Sequence, residues 1–122
     1  MGERASAEPV TQAAEVKDPE LRRFLDECLE GIRAGLQPRG FWLFGSRVSG
    51  SPDRWSDIDV LVVSERFRDV RVLDRLELFR KHARPHRHVD ALCFTPEEFE
   101  FKATQPTLVA EIVKHGLGLR VI

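Results

Sequence analysis

An α+β fold of two layers, with a sheet of about four strands flanked by helices, is the reading that three features of the sequence support. Short apolar runs bounded by turn residues recur four times, at 39–44, 57–63, 88–94 and 117–122, and such runs mark buried strands. Between them lie stretches whose apolar residues return every three or four positions, the period of amphipathic helices. The length of 122 residues suits one core, since a chain of this size already buries about two thirds of its unfolded surface. One domain over 17–122, preceded by a flexible tail over 1–16, is therefore expected.

The tail reading rests on an Ala-, Glu-, Ser- and Thr-rich segment with no sustained apolar period,. From Asp18 the pattern changes. Asp18-Pro19 reads as a cap and a first-turn proline, and Leu21, Phe24, Leu25, Cys28, Leu29, Ile32 and Leu36 follow at helical spacing up to Gln37-Pro38,. Phe41-Trp42-Leu43-Phe44, with glycine on either side, is a first strand, and Gly45-Ser46 is a turn leading into one helical turn,. Loop chemistry then runs to Asp57-Ile58-Asp59, which opens a second strand. Val70, Val72, Leu73, Leu76, Leu78 and Phe79 suggest a second amphipathic helix over 70–83 with a solvated polar face,. His88 to Phe94 is a third strand, and Thr95-Pro96-Glu97-Glu98 has the cap, proline and acidic turn of a helix start,. A last helix from Pro106, with Gly116 as its terminal cap, leads to a final strand,.

Charge and composition exclude several functions. A formal net charge of -1 gives no general attraction to nucleic acid or to an anionic membrane, so a polyanionic ligand has to be held locally. No apolar run approaches the roughly 20 residues of a membrane span, and no charged-then-apolar signal segment opens the chain,. Cys28 and Cys93 lie within apolar segments, as free thiols of a cytoplasmic protein would,. Met1-Gly2 with Ser6 satisfies a loose myristoylation pattern, too short to carry weight,.

The chemistry concentrates between Gly45 and Asp90. Side chains alternate along a strand, so Asp57 and Asp59 share a face, with Cα atoms about 6.6 Å apart. Paired carboxylates opening an apolar strand repel unless a cation lies between them, and oxygen donors suit magnesium. Asp90, early in the next strand, adds a third carboxylate if the two strands are neighbours. Gly45 permits close backbone approach, Ser46 offers donors for phosphate oxygens, and Arg47 beside it adds a cationic contact. His86, His88 and Asp90 share one face and invite a zinc reading, but Pro85 and the charged neighbours put His86 in a loop, leaving His88 at the rim of the cleft. Arg54 and Trp55 precede the carboxylates, and Trp55 is expected to pack over the sheet edge.

Gly45-Ser46, ten residues, then Asp57-Ile58-Asp59 resembles the signature of the DNA polymerase beta superfamily, and the compact chain is similar to that superfamily's minimal nucleotidyltransferases. The likeness extends over about 18–122 and takes in Val89-Asp90-Ala91-Leu92 and Thr95-Pro96-Glu97-Glu98-Phe99. It implies a polymerase-beta-like nucleotidyltransferase fold with a mixed sheet. It also implies two Mg2+ ions on Asp57, Asp59 and Asp90, the last also orienting the attacking hydroxyl, and a triphosphate held by Gly45 and Ser46.

By the same resemblance the expected reaction is transfer of AMP from ATP to an acceptor hydroxyl. Larger family members use an extra domain for a small acceptor. The shortness of this chain points instead to an acceptor on a partner, a tyrosine of a HEPN-domain toxin, with this protein as the antitoxin. Two rival expectations are an antitoxin that acts by steric binding alone and an aminoglycoside-type transferase working as a homodimer. No direct nucleic-acid or membrane contact is expected.

Overall fold

A computed structural model describes residues 16–52 and 55–122. Residues 1–15 of the tail expected over 1–16, the Met1-Gly2 pattern and Arg54 lie outside the described residues. The first helix, α1 (Pro19–Leu36), starts as its sequence dictates: the Asp18 side chain accepts from the Leu21 amide at 3.1 Å and Pro19 occupies the first turn,. Leu21, Phe24, Leu25, Cys28, Ile32 and Leu36 form its buried stripe, and Gln37, at φ 45°, ends it. Among the described residues, the core includes Val16, the last residue of the expected tail. Val16 is 2% exposed, and Arg22 donates to its carbonyl at 2.9 Å.

Four strands form one mixed sheet in the order β3-β2-β1-β4. β1 (Gly40–Phe44) pairs antiparallel with β2 (Ile58–Val63) and with β4 (Leu119–Arg120), while β2 pairs parallel with β3 (Val89–Phe94). A parallel neighbour needs a crossover, here a 3-10 turn at Glu65–Phe67 followed by α3 (Val72–Ala83). The short α2 (Ser46–Ser49) lies between β1 and β2; α4 (Pro96–Ala103) and α5 (Leu108–Lys114) join β3 to β4. The final strand is shorter than the sequence suggests, although the amides of Val121 and Ile122 still bond to the Phe41 carbonyl at 2.7 and 3.2 Å.

Alternation along the strands separates two cores. Phe41, Leu43, Ile58, Val60, Val62, Val89 and Cys93 pack with the apolar residues of α1 and with Phe79 and Ala83 of α3. Trp42, Leu61 and Val63 face the other way, against Ala103, Val109 and Ile112 of α4 and α5. The register pairs Gly40 with Val63, Trp42 with Leu61 and Phe44 with Asp59. On this second face the apolar positions accordingly give way to acidic ones at the Phe44 end of the sheet.

Helix α3 departs from the expected pattern. Val72 and Leu73 are 71% and 83% exposed, whereas Arg75 is buried. Arg75 donates to the Val70 carbonyl at 2.9 Å, the Cys93 carbonyl at 3.1 Å and Glu98 Oε1 at 2.6 Å. An arginine stem can pack like a hydrophobe when its guanidinium finds acceptors, and these come from the loop before α3, from β3 and from α4. Glu98 also closes a reciprocal capping box with Thr95 at the start of α4. Cys28 and Cys93 are free and buried, and burial pushes the Cys93 thiol up to about 12. Among the described residues, no helix is long and apolar enough to cross a membrane.

Candidate functional site

The turn after β1 is a backbone solution that glycine alone adopts cheaply. Gly45 has φ 90° and ψ -168°, a region essentially closed to residues with a Cβ. Its carbonyl accepts from the amides of Val48 and Ser49, both at 3.0 Å, which winds the chain into α2. A Cβ at Gly45 would lie 2.2 Å from Asp59 Oδ2. The bare Cα is therefore what lets the Asp59 carboxylate rest against the turn. Ser46, half-buried at the first position of α2, has its carbonyl occupied by the amides of Gly50 and Ser51.

Arg47, expected beside the phosphates, has protein partners of its own. It is buried, with Nε donating to the Ser56 carbonyl at 3.0 Å and Nη1 to both Asp18 oxygens at 3.2 Å. The side chain thus ties the start of α1 to the residue immediately before Asp57. Asp18 serves two donors, the Leu21 amide and this guanidinium, so the helix cap and the site loop share one carboxylate.

The parallel register brings Asp59 of β2 directly opposite Asp90 of β3. Asp57 stands two residues before Asp59, just ahead of β2. Asp57 and Asp90 are exposed and Asp59 is half-buried. Desolvation raises the Asp59 carboxyl above its ordinary range, the charges of Asp90 and Asp57 raise it further, and His88 opposes them. Three carboxylates in mutual electrostatic reach are a place where a cation is favoured.

His88 joins this group. Its Nε2 is 3.4 Å from Asp90 Oδ1 and 4.0 Å from Asp57 Oδ2. Ligand atoms of Asp57, His88 and Asp90 all lie within 4.8 Å of one another. His86 does not take part: its ring nitrogens lie 3.1 Å from Glu20 and 3.2 Å from Glu27 on α1. The loop position read from Pro85 fits that separation. Arg80, absent from the sequence reading, reaches His88 Nδ1 at 3.2 Å. Nothing local announces it, because α3 meets the start of β3 only in the folded chain. Trp55 is 77% exposed rather than packed over the sheet edge.

Carboxylate oxygens are the donors that a hard divalent ion such as magnesium accepts, so Asp57, Asp59 and Asp90 fit that cofactor. A separate cavity of about 620 Å³ lies toward the opposite ends of β1 and β2, among Gly40, Trp42, Val63, Phe99, Ile112 and Arg120. None of the three carboxylates lines it.

Residues 21–118 match the family model described as "Nucleotidyltransferase domain". The crystal structure of "a putative nucleotidyltransferase from Sulfolobus solfataricus" aligns at 24% identity over 74% of this chain and 79% of its own, with a TM-score of 0.52. At that identity the likeness speaks for the fold, and it agrees with the mixed sheet and flanking helices. No curated protein matches the chain significantly.

Proposed function

The chain belongs to the nucleotidyltransferase domain family, and from that premise we propose that it transfers AMP from ATP, with magnesium, to the hydroxyl of a protein acceptor. The observation that carries the proposal is the register of Asp59 against Asp90, with Asp57 two residues ahead and the Gly45 turn against Asp59. Asp57, Asp59 and Asp90 would hold the metal, which supplies neutralisation of the triphosphate and of the charge that develops on the leaving group.

The chain's own residues account for the remaining steps. Gly45 lets the triphosphate approach the backbone, and Ser46 at the start of α2 offers it donors. Asp90, which is exposed, receives the proton of the acceptor hydroxyl in this proposal. The hydroxyl oxygen forms the new bond to the α-phosphorus, the bond to the bridging α,β oxygen breaks, and pyrophosphate leaves. Asp59, half-buried against Gly45, keeps a fixed position while the two exposed carboxylates meet the substrate.

The acceptor we propose is a tyrosine of a HEPN-domain toxin, which makes this protein an antitoxin and a protein adenylyltransferase. The resemblance of Gly45 to Asp59 to the minimal nucleotidyltransferases supports this choice. So does the exposure of Asp57 and Asp90, since a side chain presented by another protein can reach them.

The test is incubation with Mg2+ and α-labelled ATP, with and without a co-expressed HEPN-domain protein. Label on a tyrosine of that protein, lost with Asp57→Asn, is the expected result. Label on an aminoglycoside would transfer the proposal to a small-molecule enzyme. Toxin inhibition that persists in Asp57→Asn without any label would leave a steric antitoxin.

A further inference from the structure

The contact between Arg80 and His88 decides what His88 can offer the carboxylates. Arg80 Nη2 lies 3.2 Å from His88 Nδ1 and donates to the Val89 carbonyl at 3.3 Å, so it is anchored to the first residue of β3. A guanidinium has donors and no acceptor. Nδ1 must therefore accept, and an imidazole that accepts at Nδ1 carries its proton on Nε2. Nε2 is the atom that lies 3.4 Å from Asp90 Oδ1 and 4.0 Å from Asp57 Oδ2. A nitrogen that bears a proton has no lone pair for a cation, so the spacing that makes Asp57, His88 and Asp90 resemble a three-ligand metal site is not sufficient to make His88 a ligand.

We propose that Arg80 and His88 form a relay from α3 to Asp90, in which His88 is a positioning residue that holds its Nε2 proton beside the carboxylate, 3.4 Å from Oδ1, and stays out of the metal's coordination shell. The relay rests on the reading that Asp57, Asp59 and Asp90 hold a divalent ion. Its physical consequence is orientation. Asp90 is exposed, and an exposed carboxylate without a partner samples several rotamers. Outer-shell partners that orient metal-binding carboxylates typically govern affinity over about 10- to 100-fold.

The experiment uses Mn2+ as the probe, titrated into the whole chain and followed by electron paramagnetic resonance, with hyperfine spectroscopy to detect nitrogen bound to the ion. The wild type is expected to bind Mn2+ without a histidine nitrogen coupling. His88→Ala is expected to weaken binding about 10- to 100-fold. His88→Gln, whose amide can accept from Arg80 and donate toward Asp90, is expected to recover most of the loss. Nitrogen coupling in the wild type would overturn the relay by making His88 a ligand. Unchanged binding in His88→Ala, or equal losses in the Ala and Gln variants, would also overturn it. A wild type that binds no Mn2+ would overturn the metal reading itself, an outcome distinct from the others. His88 is about half exposed, so its variants are not expected to disturb the core, and the wild-type spectrum decides the ligand question without them.

Discussion

The Asp59 carboxylate rests on the bare Cα of Gly45: a Cβ there would stand 2.2 Å from Oδ2, on a residue whose φ is 90°. Two independent penalties thus meet at one position. The backbone conformation costs a non-glycine residue about 1–3 kcal/mol, and the methyl group displaces an acidic side chain from the candidate site. Gly45→Ala is expected to lower the unfolding free energy from chemical denaturation by a matching amount and to weaken Mn2+ binding as well. A variant that loses stability but keeps wild-type metal affinity would mean that the contact does not position Asp59.

Asp59 also sets an expected pH dependence. Its carboxyl is raised above its ordinary value, by desolvation first and then by Asp90 and Asp57. A raised acid holds its proton more tightly in the folded state, so the folded protein binds more protons over the interval from that value up to the folded pKa. Asp59 therefore costs stability as pH rises through this interval, and the cost is fully present above the folded pKa,. Asp59→Asn is expected to raise the melting temperature of the metal-free protein at pH 7 and to bring no gain below the unfolded value. Divalent ion is expected to stabilise the wild type at pH 7 more than Asp59→Asn. Thermal melts across pH, with chelator and with Mg2+, check both expectations.

Local signals in the sequence were readable to the residue. Asp18, Thr95 and the prolines after them mark helix starts because a cap bonds to an amide three positions away, and of the two carboxylates expected to open the second strand Asp59 lies in β2 while Asp57 precedes it. What sequence could not supply is pairing between elements. Asp59 meets Asp90 only because β2 and β3 are parallel neighbours. The arginines show the same limit. Arg75 reads as solvated and is buried, because its acceptors come from Val70, Cys93 and Glu98, and only Val70 lies within one helical turn or so of it. Arg47 reads as a phosphate contact, and its guanidinium engages Asp18, 29 residues away.

The Arg75–Glu98 pair allows a test of which partner matters more. The Arg75 side chain is 8% exposed and that of Glu98 is 40% exposed. Removing Glu98 leaves a buried cation with carbonyl acceptors only, whereas removing Arg75 leaves a carboxylate that water can reach. Glu98→Ala is expected to cost about 2–3 kcal/mol, below the range for fully buried pairs because Glu98 is partly solvated. Arg75→Met, which retains much of the apolar stem, is expected to cost less. Arg75 holds the Glu98 carboxyl below its ordinary value. Its stabilising contribution is thus present above that value and lost as pH falls through the lower, folded pKa, and the difference between wild type and Glu98→Gln is expected to shrink in acid. Urea denaturation at pH 7 and in acid measures both effects.

The last expectation separates support of the site from contact with substrate at Arg47. Its guanidinium bonds Asp18 and the Ser56 carbonyl, and the Arg47 and Asp18 side chains are 5% and 12% exposed. If this tether is its role, Asp18→Asn, which keeps a capping oxygen but removes the charge that faces Arg47, should act like a mild Arg47 variant. Both Asp18→Asn and Arg47→Met are expected to lower stability, Arg47→Met by more because it also abandons Ser56. Asn is about as good a cap as Asp, so a loss in Asp18→Asn reports on the ion pair. An Arg47 that grips phosphate gives another pattern. Arg47→Met would then weaken binding of a non-hydrolysable ATP analogue strongly while Asp18→Asn left it unchanged. Calorimetric titration of the analogue into the two variants, beside their thermal melts, distinguishes the outcomes: parallel changes in both variants support the tether, and a nucleotide defect confined to Arg47→Met assigns the residue to the substrate.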